Sequence, residues 1–230
     1  MSGFYKFKLQ GDSIWQLKSR ILDETGIGLM GLNPEDLLPT YKLLAEFVQK
    51  SPEPKQIALE NIEFIKSVVG SGLKLQRKPY LRILRPGNTE DSVGIHRDTH
   101  YGATNDEWVL WVPLTSAVNG GELGILPGSH LKSDEDYPWT QEPNPDVKQG
   151  SLKHWLGYMY APKKMGKEVE GQCIPIPCKV GEAILFNAAC VHGSKLNTSS
   201  WTRVSIDMRL ADKNKPTSQH GIHGEFYEDL

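Results

Sequence analysis

The chain has 230 residues, 38% hydrophobic and 23% charged, with a formal net charge of -2. That length can bury a substantial core, and so weak a net charge offers no field to attract nucleic acid or an anionic membrane. No apolar run is long enough to span a bilayer, and the opening MSGFYKFKLQGDS lacks a signal peptide's apolar middle, so a cytoplasmic location is expected.

The first seventy residues read as helical. In NPEDLLPTYKLLAEFVQKS, Asn33 is the expected cap and Pro34 the first helical residue, with Pro39 breaking the segment into a turn and a longer helix. In PEPKQIALENIEFIKSVVGSG, helical spacing puts Ala58, Ile62, Ile65 and Val69 on one face, and Gly70 and Gly72 end the helix. After Gly72 the pattern changes to short alternating or aromatic-rich segments: LKLQRKPYLRILRPG, VGIHRDTHYG, EWVLWVPLTS, GELGILPGSH, GQCIPIPCKVGEAILFN and TRVSIDMRLAD. Gly, Pro, Asn and Asp punctuate them, which suggests an antiparallel sandwich or barrel. Residues 132–155 read as a long polar loop over the barrel mouth, and the chain from Asp212 onward as a loose tail. The expected organisation is one domain over 1–230, mainly β with N-terminal helices. Residues 1–72 form helical support, 73–211 the core and 212–230 the tail. Cys173, Cys178 and Cys190 have no CxxC spacing and read as buried or free thiols.

The stretch VGIHRDTHYG carries the chemistry. On a strand, residues i and i+2 share a face, so His96 and Asp98 converge while Arg97 faces away. A buried unpaired carboxylate costs several kcal/mol, which a bound cation would offset. Two ligands hold a metal poorly. The third candidate is His192, following the apolar run ILFNAACV at what reads as a barrel rim. Two histidines and a carboxylate on one side of an ion form the facial triad of non-haem Fe(II) oxygenases, and the missing thiolates argue against a closed zinc site. Arg203 and Ser205, at i and i+2 on the last strand, suit a carboxylate held at one end of a cavity. A dicarboxylate could chelate the metal and pair with Arg203.

His96-Arg97-Asp98, His192-Gly193-Ser194 and Arg203-Val204-Ser205 together resemble the H-x-D…H…R-x-S pattern of Fe(II)/2-oxoglutarate-dependent dioxygenases. HRDTHYG, WVPLTS, GELGILPGSH and GEAILFNAACVHGS are similar, in order and spacing, to the phytanoyl-CoA dioxygenase-like branch over roughly residues 75–210. The N-terminal helices match no motif of that branch. The resemblance implies a double-stranded β-helix, that is, a cupin-like jelly roll. It also implies Fe(II) on His96, Asp98 and His192, with O2 and 2-oxoglutarate as cosubstrates. Arg203, Ser205 and Ser194 would take the far carboxylate, and Trp111 would line the cosubstrate pocket. Oxidative decarboxylation to succinate and CO2 would drive hydroxylation of a small polar metabolite, such as a sugar or biosynthetic intermediate.

Some other residues leave alternatives open. His100 extends the His96 face, as a substrate contact, an alternative ligand or a strand-end cap. Arg82 and Lys78, in a basic segment with Lys74, Arg77 and Arg85, either form a solvated face with one ion pair or bind an anionic part of a substrate. His130 reads as a turn residue, and His220 and His223 as tail histidines without metal. Rival functions are a non-catalytic jelly-roll protein that binds metal or ligand, and a cupin-like metal isomerase or hydrolase using His96, His100 and His192. Neither needs a fixed carboxylate anchor opposite the metal, which Arg203 and Ser205 provide.

Overall fold

The computed structural model describes residues 2–32, 37–92, 94–141, 163–218 and 226–230. Its elements in chain order are β1 (Phe4–Lys8), α1 (Ser13–Thr25), α2 (Leu37–Lys50), α3 (Glu53–Glu60), α4 (Ile62–Val69), β2 (Leu73–Gln76), β3 (Tyr80–Leu84), β4 (Trp108–Pro113), β5 (Leu123–Ile125), β6 (Trp139–Gln141), β7 (Lys163–Met165), a short helix at Lys167–Gln172, β8 (Ile174–Ile176), β9 (Glu182–Asn187), β10 (His192–Ser194), β11 (Arg203–Asp212) and β12 (Tyr227–Asp229). A seven-stranded sheet runs β1-β9-β4-β11-β2-β12, with β3 also paired to β11; a three-stranded sheet runs β10-β5-β8.

Strand alternation explains how the layers pack. Leu110, Val112, Ala183, Leu185, Val204, Ile206, Met208 and Leu210 form one core with residues of α1–α4. The intervening Val109, Trp111, Ile184 and Phe186 face the other way and pack against Leu123, Ile125 and Ile176 of the small sheet. One face of the large sheet therefore carries the helices and the other closes a jelly roll, a double-stranded β-helix. Because β11 lies between β3 and β4, its inward residues are central to the barrel. They are Arg203, Ser205, Asp207 and Arg209, all polar where the helix-facing set is apolar.

Several elements differ from the sequence expectation. FYKFK is a strand on β9, with Phe4 packed on the inner core and Phe7 on the outer one, so its period is two. The helix expected over 52–70 is broken at Asn61. The Asn61 amide donates to Ile57 O (2.8 Å) and accepts from Gln10 N (2.9 Å), competing with the helical ladder. Pro39 does not interrupt α2, because it falls in the first turn, where no intrahelical donor is lost. The cap expected at Asn33 and Pro34 lies outside the described residues, as do 142–155 of the expected loop, His220 and His223. No helix among the described residues is long and apolar enough to cross a membrane.

The segment read as a loose tail is tied back to the core. β11 runs on to Asp212, and β12 pairs with β2. Glu107, fully buried, accepts from Tyr227 Oη (2.7 Å), Ser218 N (2.8 Å) and Thr104 N (2.9 Å). Removing a partner strands buried donors at roughly 1–3 kcal/mol each. Glu107→Ala is therefore expected to cost about 3 kcal/mol or more in urea unfolding. A loss under about 1 kcal/mol would mean the C-terminal segment is held by other contacts.

Candidate metal centre

The segment expected as a strand around His96 is instead a single bridge followed by a tight turn. His96 and His192 exchange both main-chain hydrogen bonds at 2.8 Å, after which Asp98–Tyr101 winds into a short 3-10 helix. The turn keeps Asp98 beside His96 and carries His100 away. Asp98 Oδ1 lies 3.5 Å from His96 Nε2 and 3.9 Å from His192 Nε2. Ligand atoms of the three residues all lie within 4.8 Å of one another, so the group could hold one metal ion.

Neighbouring carbonyls orient both imidazoles. Nδ1 of His96 lies 2.9 Å from Gly94 O, and Nδ1 of His192 lies 2.9 Å from Cys190 O. A carbonyl only accepts, so each Nδ1 carries a proton and each Nε2 is the ring nitrogen turned toward Asp98. Burial, helped by His96, pushes His192 down to about 4, leaving it neutral and ready to ligate at ordinary pH. Burial would raise the Asp98 carboxyl, but Arg209, His96 and His192 together hold it well below the usual carboxylate range. Two imidazole nitrogens and one carboxylate suit a divalent cation of the Fe(II) class.

A cavity of ≈ 720 Å³, including its open mouth, lies over the triad. Trp111, Ser194, Phe186, Tyr41, Arg82 and Asp207 contribute to its wall. Arg203 lies directly behind Ser194. Its guanidinium donates to Ser194 Oγ (2.6 Å) and Ser205 Oγ (2.5 Å), and sits 5.5 Å from the Trp111 ring centroid. The side chain is among the largest fully buried ones, and Nε has no hydrogen-bond partner. Burial pushes this guanidinium down to about 9. A fully buried cation that donates to two hydroxyls, with Asp207 as the carboxylate acting on its charge, is a site that fits an anion. The structure thus brings together Arg203, Ser205, Ser194 and Trp111, beside the triad.

The remaining expected site residues scatter. His100 is buried away from the cavity, 3.3 Å from Asp134 through Nε2 and 5.7 Å from Trp139, because the 3-10 turn ends the alternation that would have kept it on the His96 face. Lys78 is exposed in the β2–β3 turn and does not line the cavity. Arg82 does line it, with Nε 3.5 Å from Asp207 Oδ1. Arg97 faces away from the triad as expected. It binds Ser129 O (2.7 Å), Lys132 O (3.1 Å) and Asp134 (2.7 Å), pinning the segment 129–134. The sequence reading missed Asp207 and Arg209. The alternation that marked Arg203 and Ser205 continues through RVSIDMR and would have found both.

Comparison with curated protein sequences finds no significant match. Solved structures share the fold. An apo form of the non-heme monooxygenase ThoJ aligns over 94% of this chain and 77% of its own, with TM-score 0.59 and 17% identity. EvdO2 from Micromonospora carbonacea var. aurantiaca aligns over 94% and 90%, with TM-score 0.59 and 15% identity. The epimerase SnoN in complex with Fe3+, alpha ketoglutarate and nogalamycin RO aligns over 97% and 84%, with TM-score 0.52 and 16% identity. A family model for phytanoyl-CoA dioxygenase (PhyH) matches residues 46–205, reaching back through α4 and α3 to the end of α2, helices that carried no recognisable motif. With well over half of its length matched, and with the triad inside that match, this chain belongs to the phytanoyl-CoA dioxygenase family.

Proposed function

We propose that the protein is an Fe(II)/2-oxoglutarate-dependent oxygenase that hydroxylates a small polar metabolite. The observation that carries this is the pairing of a three-donor metal site with a fully buried guanidinium that contacts Trp111 and Ser194, both of which line the cavity over the triad. His96, Asp98 and His192 would hold the iron, whose chemistry with 2-oxoglutarate and O2 is C–H oxidation coupled to release of succinate and CO2. Arg203, Ser205 and Ser194 would hold the distal carboxylate of the cosubstrate. Trp111 and Phe186 give the cavity an apolar wall that limits water near the reacting atoms.

The substrate side of the cavity supports the polar class. Arg82 and Asp207 offer donors and an acceptor in the wall, with Tyr41 of α2 beside them. Asp98 supplies the carboxylate that an oxygenase triad requires, which favours hydroxylation over halide transfer. The similarly folded SnoN, which was solved with Fe3+ and alpha ketoglutarate, is an epimerase.

Anaerobic addition of Fe(II) and 2-oxoglutarate to the protein is expected to produce a visible metal-to-ligand charge-transfer band. Air should then yield succinate, faster in the presence of a matching sugar or sugar-like substrate. No band in the intact chain would defeat the oxygenase reading. A band without succinate across a broad substrate screen would favour a binding protein.

A further inference from the structure

The two oxygens of Asp98 have different surroundings. Oδ1 faces both imidazoles, at 3.5 and 3.9 Å. Oδ2 faces the Arg209 guanidinium, with Nη2 at 3.6 Å. Arg209 belongs to the centre of the large sheet. It lies opposite Val109 on β4, and its backbone N–H donates to the buried Gln76 side chain at 3.0 Å. Its own side chain is only 11% exposed. Asp98 is held from behind as well, through its N–H to Ala188 O at 3.0 Å. One nitrogen of a guanidinium on a rigid strand therefore lies at ion-pair distance from one oxygen of a carboxylate whose backbone is fixed.

We propose that Arg209 is a positioning residue that engages Oδ2 of Asp98 and leaves Oδ1 as the carboxylate atom offered to the cation. The inference rests on the reading that the triad binds a metal. A carboxylate free to turn can give a hard cation both oxygens, and each extra protein donor displaces a water. Three protein donors leave room for the two atoms of a chelating 2-oxo acid and for O2. A fourth would remove one of those positions. By this argument Arg209 protects the reactive position without touching substrate or cosubstrate.

Mn(II) is the probe, read by water-proton relaxation and by affinity, so that turnover is not needed. Intact protein should bind Mn(II) with a relaxation enhancement from metal-bound water, partly retained when 2-oxoglutarate is added. In Arg209→Met, Mn(II) should bind about 10–100-fold more weakly than in the parent, the range expected for a change behind the ligands. The enhancement remaining with 2-oxoglutarate should be lost. Arg209→Lys keeps the charge but not the fork and should lie between the two. Parent-like relaxation in a folded Arg209→Met protein overturns the proposal, and so does complete loss of Mn(II) binding in that variant. If Arg209→Met does not fold, Arg209→Lys decides: relaxation identical to the parent means charge alone suffices, and the positioning role falls. Failure of the parent itself to bind Mn(II), or equal binding by His192→Ala, would instead defeat the metal-site reading beneath it.

Discussion

His192→Ala is expected to bind Fe(II) or Mn(II) at least about a hundredfold more weakly than the parent. Changes behind metal ligands alone cost about 10–100-fold, and this one removes a donor outright. The fold should survive. The pairing of His192 with His96 uses main-chain atoms only, and alanine retains them. What is lost is a buried ring packed at a tilt against Phe186, centroids 4.6 Å apart, a packing defect worth about 1–2 kcal/mol. Competition against a chromophoric chelator measures the affinity, and circular dichroism checks the fold. A variant within about threefold of the parent affinity would remove His192 from the metal site.

Asp98→Ala should behave differently. It too abolishes tight metal binding, but it also leaves Arg209 as a buried cation that has lost its closest carboxylate. Breaking a buried pair from one side costs about 3–5 kcal/mol, so this variant should melt well below His192→Ala. Equal stability of the two would mean that Asp98 and Arg209 do not compensate one another.

The second large effect concerns Arg203. In the parent loaded with Mn(II), 2-oxoglutarate is expected to raise the melting temperature, because a ligand that binds only the folded state stabilises it. In Arg203→Ala that rise should vanish, with affinity for 2-oxoglutarate down about a hundredfold, or about 2.7 kcal/mol. The size follows from losing a charge-assisted, two-pronged contact in a buried site. The ligand-free variant should melt close to the parent despite losing a large buried side chain. The cavity left behind destabilises, but the buried guanidinium is itself a cost, with Nε unpartnered and its charge disfavoured by burial. Thermal shifts with and without 2-oxoglutarate separate the two effects. A full ligand-induced shift in Arg203→Ala would show that the cosubstrate carboxylate is held elsewhere.

Much of the site was legible in the chain because it depends on local spacing. His96 and Asp98 are two residues apart, and either a strand or the bridge and turn found here brings them to one point. Arg203 and Ser205 occupy a true strand, and their alternation placed both inward. The same rule, continued, leads to Asp207 and Arg209. His100 shows the limit of periodicity, since a single 3-10 turn after Arg97 sends it to Asp134 and Trp139 rather than to the cavity. Lys78 shows another: a basic residue between two strands reads like its neighbours until the turn exposes it.

By itself, the sequence determined the strand-rich core, the helical support and the types of side chain that meet a cation and an anion, because period and donor chemistry are written locally. Tertiary structure decided which atoms meet. The bridge from His96 to His192 crosses 95 intervening residues of chain, and the Arg209 approach to Asp98 depends on β11 lying at the centre of a sheet whose order no local pattern encodes. It also decided that the amino-terminal FYKFK is an edge strand on β9 and that the carboxy-terminal strand closes onto β2. The physical reason is the same in each case. A residue's face follows from its neighbours in sequence, whereas its partner follows from burying the whole apolar surface at once.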